Sequence, residues 1–201
     1  MGRYDDAVKE YRKSLALKPS SGAYVGLAGI YFLQGHYREA AATNEEAMKL
    51  NTGTSYSLLG NLGDCYRYVP ELAHKAPSQY RQAIAVTDGF LATNPKDARA
   101  LSSRAMFYAK LGKVPEALRD VAAGQAIETS DVSVIYTLSV VQELTNHRDR
   151  ALAGLKAALQ GGYSIESVRQ DPDLTNLRRD PRFAKIIAPF LSTRATSTQP
   201  K

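Results

Sequence analysis

"GRYDDAVKEYRKSLALKP" at 2–19, "GHYREAAATNEEAMKLN" at 35–51 and "GKVPEALRDVAAGQAIE" at 112–128 decide the fold once they are laid over one another. Each begins with Gly, carries Ala five residues later and then runs in helical period. In the first, Tyr4, Ala7, Val8, Tyr11, Leu15 and Leu17 make the apolar face, so that helix must bury one side against something. The corresponding alanines are Ala7, Ala40, Ala76, Ala117 and Ala151, spaced 33, 36, 41 and 34 residues apart. Periods in this range mean an array of helical hairpins, each too small to bury its own apolar face without its neighbours.

From the second unit onward, another helix of similar length precedes each of these, over about 23–34, 55–68, 97–110 and 131–145. Their apolar stripes are Tyr24, Leu27, Ala28, Tyr31; Leu59, Leu62, Gly63, Tyr66; Leu101, Ala105, Tyr108; and Ile135, Leu138, Val141. Steps of three, four and seven put each stripe on one side of a helix. Two helices joined by a tight turn approach closely only where a small residue sits at their crossing. Ala28, Gly63, Ala105 and Ser139 are expected to face Ala40, Ala76, Ala117 and Ala151. Gly35, Gly112 and Asn146 fit helix ends that need a left-handed residue.

This pattern of Leu, Gly or Ala, Tyr, Gly, Ala and Pro resembles the tetratricopeptide repeat. The resemblance implies an all-α tetratricopeptide-repeat α-solenoid of antiparallel hairpins with a C-terminal helical cap. The array is expected over 2–160: a half repeat at 2–19 and repeats at 21–51, 55–95, 97–129 and 131–160. The last unit departs from the pattern, with Gln142 for the usual aromatic and Asn146 for the usual Gly. The opening helix then reads as the second half of a hairpin whose first half lies upstream. Left open, its row of Tyr4, Val8, Tyr11 and Leu15 invites self-association; the other reading is a helix that caps the array alone.

The third unit is irregular. From Ala7 to Pro19 is 12 residues, but from Ala76 to Pro95 is 19. Seven extra residues are almost two helical turns, so the expectation is a protruding helix at 77–93, either a partner-contacting edge or an indel of this family. After the repeats, Ser164, Asp171 and Asp180 are good N-caps, and Pro172 and Pro181 suit first helical positions. Three short helices are expected over 161–191. Leu174, Leu177, Phe183, Ile186, Ile187, Phe190 and Leu191 would cover the end of the last hairpin, worth several kcal/mol for a few hundred Å² at about 25 cal/mol per Å². Residues 192–201 lack apolar anchors and read as a disordered tail. The Gly-Tyr-Ser, Asp-Pro-Asp-Leu, Asp-Pro-Arg-Phe ending resembles the C-terminal repeat region of bacterial signalling proteins, among them receptor-like Ser/Thr kinases.

Composition narrows the function. The 201 residues are 44% hydrophobic and 23% charged, and no apolar run reaches the roughly 18 residues of a membrane span. No secretory signal is visible, and the single cysteine, Cys65, allows no internal disulfide; a cytoplasmic location is the expectation. The net charge of +6 is scattered. Its densest group, Arg178, Arg179, Arg182 and Lys185, lies among Asp171, Asp173 and Asp180, which argues against nucleic acid. Cys65 and His74 could be drawn as nucleophile and base, but nothing in the sequence places a third group. His36, His74 and His147 lack metal-ligand spacing, and "GNLGD" at 60–64 lacks the Lys and Ser or Thr of a phosphate loop. No enzyme, metal or cofactor is expected.

What remains is a surface. The resemblance implies that the first helices of the hairpins line a concave groove. The residues placed there are Phe32, Asn61, Asp64, Arg67 and Tyr68, then Arg99, Met106 and Lys110, then Tyr136, Val140 and Glu143. Aromatic, Met and Arg side chains among polar ones suit a peptide groove. The family's clamp for chaperone C-terminal carboxylates needs Lys and Asn, then Asn, then Lys and Arg. Those places hold Val25 and Gly29, Asn61, and Arg99 and Ser103, so chaperone tails are disfavoured. The function expected is a non-catalytic protein-interaction scaffold, part of a larger protein. The alternative is the regulatory tail of a bacterial signalling enzyme, a Ser/Thr kinase or cyclase with its active site upstream.

Overall fold

The computed structural model describes residues 2–51, 55–127 and 130–192, and all regular structure among them is helical. It divides into two compact units, Met1–Gly89 and Phe90–Lys201. The first holds α1 (Gly2–Leu17), α2 (Ser21–Leu33), α3 (Tyr37–Leu50), α4 (Tyr56–Arg67) and most of α5 (Ala76–Thr93). The second holds α6 (Ala98–Lys110), α7 (Val114–Gln125), α8 (Val132–Leu144), α9 (Arg148–Gln160), α10 (Ile165–Gln170) and α11 (Pro181–Ser192). Ser192 closes α11, and the rest of the expected disordered tail lies outside the described residues.

Each hairpin opens on a side-chain cap. Ser20 accepts from Ala23 N–H at 3.2 Å, Ser55 from Leu58 at 3.3 Å, Asp97 from Ala100 at 2.9 Å and Asp131 from Ser133 at 2.9 Å. Each cap satisfies one of the N–H groups a helix start leaves without a partner. Three hairpins turn in one way. Gly35 takes φ 79°, His36 N–H donates to the Tyr31 carbonyl at 2.9 Å and Gly35 N–H to Phe32 at 3.0 Å. Gly112 (φ 72°) and Asn146 (φ 64°) repeat the two bonds, as does Gly162 (φ 97°) at the end of α9. This left-handed ending closes the last carbonyls of the helix and reverses the chain in two residues.

Close crossings follow the small residues. Ala28 and Ala40 are buried, as are Ala105 and Ala117, and Ser139 Oγ donates to the Ala151 carbonyl at 2.6 Å. A Cβ on Gly26 would fall 2.4 Å from the Tyr11 ring, so α1 docks on α2 through that ring. Tyr4, Val8, Tyr11 and Leu15 are accordingly half-buried, while Leu17 is exposed.

The third hairpin corrects the expected register. Gly63 meets the ring of Tyr80 rather than Ala76: a Cβ there would lie 2.7 Å from it. Tyr80 and Ala83 repeat Tyr4 and Ala7, and Tyr37 and Ala40; Ala83 is fully buried, like Ala40, Ala117 and Ala151. Ala83 also stands 12 residues before Pro95, the interval from Ala7 to Pro19. The insertion therefore lies in the turn of this hairpin and not in the C-terminal part of its second helix. It makes α5 18 residues long against 14 for α3, with the extra residues ahead of Tyr80. The remainder forms successive tight turns from Tyr68 to a 3₁₀ turn at Ala73–Lys75, closed by Val69 N–H to Tyr66, Leu72 to Val69 and Lys75 to Leu72.

In the second unit the core runs through both hairpins into the cap. Leu152, Leu155 and Leu159 of α9 pack with Tyr136 and Val140 of α8, and with Val168, Leu174, Leu177 and Phe183 from the cap.

Candidate partner-binding faces

In the first unit the aromatic residues of three elements meet. Phe32, near the end of α2, stands edge-on to Tyr37 of α3 at 5.1 Å and to Tyr68 at 5.9 Å, and Tyr37 stacks on Tyr68 at 4.8 Å. The insertion makes this possible, since Tyr68 caps α4 as the chain leaves for the long turn. The Arg67 guanidinium lies over the Tyr68 ring, 5.7 Å from its centre. Glu71 of the turn pairs with Arg38 of α3. Its own N–H first, with Arg38 in support, holds the Glu71 carboxyl below the ordinary range against the opposing effect of burial. All three rings remain half-exposed, and Asn61 and Arg67 are exposed on α4. Asp64 is differently placed: it accepts from the Tyr80 hydroxyl at 2.7 Å and ties α4 to α5. Phe32, Arg67 and Tyr68 thus come together, with Tyr37 as the member that sequence reasoning missed; its place two residues after Gly35 was the available signal.

The second unit has the same kind of face on α6 and α8, and the cap covers it. The segment Asp171–Leu174 lies there. The Tyr136 hydroxyl donates to Asp171 Oδ2 at 2.6 Å, and Lys110 Nζ is 3.2 Å from Asp173 Oδ2, with 5% and 9% of the two side chains exposed. The Tyr136 ring stacks on Tyr163 at 4.0 Å. Burial, then the neighbouring Asp173 charge, push the Asp171 carboxyl up; the Tyr136 hydroxyl, the Asp173 N–H and Lys110 oppose this without winning. Burial first and Asp171 second raise the Tyr136 phenol, and burial pushes Tyr163 up to about 12.

Several expected groove residues are therefore corrected. Val140 is 1% exposed and belongs to the core. Tyr136 and Lys110 hold the cap, and Met106 is half-buried against it. Glu143 is buried and takes Arg148 through two bonds, at 2.6 and 3.2 Å. Only Arg99 stays exposed, paired with Asp131 at the start of α8. The physical reason is that Leu174 and Leu177 leave no solvent over this face; both are fully buried.

Elsewhere the charged tail is internally paired: Arg182 bonds Asp180 at 2.8 Å and Asp149 at 2.7 Å, and Arg178 donates to the Asp171 carbonyl at 2.6 Å. Cys65 is buried beside Asn44, whose Nδ2 lies 3.3 Å from its Sγ, while His74 is exposed. Among the described residues no cluster of His, Cys, Asp and Glu could hold a metal ion, and no helix is long and apolar enough to cross a membrane.

Capped, two-helix units with small residues at each crossing and left-handed turns define a helical-repeat protein that presents one open face and one filled by its own chain. A family model described as Tetratricopeptide repeat matches residues 1–53 and 73–128, more than half of the chain. The chain belongs to the tetratricopeptide repeat family and is an all-α repeat solenoid of that class. It is 27% identical to the Hsp70-Hsp90 organizing protein of Triticum aestivum over 144 residues, 56% of this chain and 25% of that one. It is likewise 27% identical to Hsp70-Hsp90 organizing protein 1 of Glycine max over 147 residues, 58% and 24% of the two chains. The chain spans about a quarter of the length of these relatives. The crystal structure of a thermophilic TPR protein of Thermus thermophilus superposes with a TM-score of 0.58, over 86% of this chain and 91% of that one, at 22% identity; the likeness is one of fold.

Proposed function

We propose that this chain is a non-catalytic protein-interaction module whose open face on α2 and α4 receives a segment of a protein partner. The observation that carries the proposal is the half-exposed cluster of Phe32, Tyr37 and Tyr68 with Arg67 over it. Rigid aromatic side chains beside an Arg are the residues that anchor interfaces, because they bury large area at small entropic cost. The filled face of α6 and α8 supports the reading, since there a surface of this kind takes a short acidic-and-leucine segment of the same chain. The relatives carry chaperones in their names, yet Val25 and Gly29 stand where the carboxylate clamp needs Lys and Asn, so a chaperone tail is not the partner proposed. As the tail of a signalling enzyme, the alternative read from the sequence, the module would offer the same face to its own catalytic domain.

A photo-crosslinking side chain at Asn61, introduced in the source cells, tests this. Protein adducts at position 61 that fall at least tenfold when Phe32 and Tyr68 are both Ala support the open face. Adducts that persist unchanged in that variant overturn it.

A further inference from the structure

The second unit carries an open cleft of about 380 Å³ between α7, α8 and α9, walled by Gly124, Ile127, Ile135, Leu138 and Gly154. At its wall stands Gln142, 2% exposed, whose side-chain amide has no hydrogen-bonding partner among the described residues. Asn44 Oδ1 is the fully enclosed side-chain atom left without a partner among the described residues. The Gln142 amide is therefore not sealed off but reaches the space of the cleft, where an entering group can bond it.

The repeat explains why it stands there. Gln142 follows Ser139 by three residues, as Tyr31 follows Ala28, Tyr66 follows Gly63 and Tyr108 follows Ala105. In the first unit each such phenol reaches the second helix of the hairpin before it. Tyr31 accepts from Arg12 of α1 at 2.8 Å, and Tyr66 donates to Glu45 of α3 at 2.7 Å. Arg12 and Glu45 lie five residues after Ala7 and Ala40, and the matching position on α7 is Ala122. Both halves of the contact are therefore missing in the last hairpin: the ring on α8 and its polar partner on α7. The cleft lies between these helices, with no charged residue in its lining.

We propose that this cleft receives a tyrosine side chain from a protein partner, its ring between Ile127, Ile135 and Leu138 and its hydroxyl on the Gln142 amide. An amide both donates and accepts, which matches a neutral phenol and supplies in the last hairpin the kind of contact that Tyr31 and Tyr66 make within the first unit. The uncharged lining refuses a phosphorylated tyrosine, whose charge would be buried without a counter-ion. The site is separate from the open face of the first unit and does not depend on it.

The test is an NMR titration of the full chain with N-acetyl-L-tyrosinamide. A saturable shift of the Gln142 side-chain amide is expected, at least tenfold weaker for the O-phosphorylated probe and lost in Gln142→Tyr, whose own ring fills the space. Absence of a saturable shift, or undiminished binding by Gln142→Tyr, overturns the proposal. Should Gln142→Tyr melt below the parent, Gln142→Leu decides: binding at least fivefold weaker supports the hydroxyl–amide contact, and equal binding removes it.

Discussion

The two units carry equivalent inner faces with opposite fates. On α4 the stripe of Asn61 and Arg67, ending at Tyr68, meets solvent; on α8 the stripe of Tyr136, Val140 and Glu143 lies under the cap. What separates them is the chain that follows: a long turn in one unit, and Asp171–Leu174 in the other. Aromatic and charged residues at groove positions are thus not by themselves a mark of binding. The same residue types serve an inward ligand when the chain supplies one.

The sharpest way to break the contrast is Leu174→Ala. This residue is fully buried in the cluster that joins cap and hairpin, and its truncation is expected to cost about 2–5 kcal/mol in urea unfolding. The α8 face should open, seen as faster amide exchange at Val140. Tyr136→Phe comes next: it leaves the buried Asp171 carboxylate without its hydroxyl donor, at about 1–3 kcal/mol in the same assay. The matched change on the open face, Tyr68→Ala, removes stacking worth about 0.5–1.5 kcal/mol. It should therefore weaken partner capture far more than folding. A loss of stability equal to that of Leu174→Ala would show that the aromatic cluster is core rather than surface.

The smallest expected effect is one of pH. Because the Asp171 carboxyl is raised in the fold, its contribution is fully present below its unfolded value of about 4 and is lost as pH rises through the folded value. Melting temperature should therefore climb as pH falls from neutral toward about 4, and Asp171→Asn should flatten that limb. Asp180, held down to about 2 by Arg182, acts the other way. Its contribution is present above about 4 and is lost as pH falls toward 2, so the profile should turn over near pH 4.

The fold was legible because its determinants are local. Small residues at the crossings, Gly or Asn at the turns, and a period of roughly 34 each act within one hairpin. The insertion was misplaced for a reason internal to helices: Ala76 and Ala83 are seven residues apart, nearly two turns, so both fall on one face and periodicity cannot choose between them. The Tyr80-x-x-Ala83 pair and its 12-residue interval to Pro95 would have chosen. The filled face was not legible, because which surface Asp171–Leu174 seeks depends on Lys110 and Tyr136, tens of residues away. The departure at Gln142 was visible as a break in pattern, but the cleft beside it needed three helices in place.

Repeat arrays lend themselves to cutting and rejoining, since a unit that touches its neighbours in a standard way can be exchanged or deleted. The long third turn removes that freedom here. Through the Tyr68–Tyr37 stack and the Glu71–Arg38 pair, it grips the hairpin before it. The second and third hairpins are therefore one heritable block, to be moved or lost together.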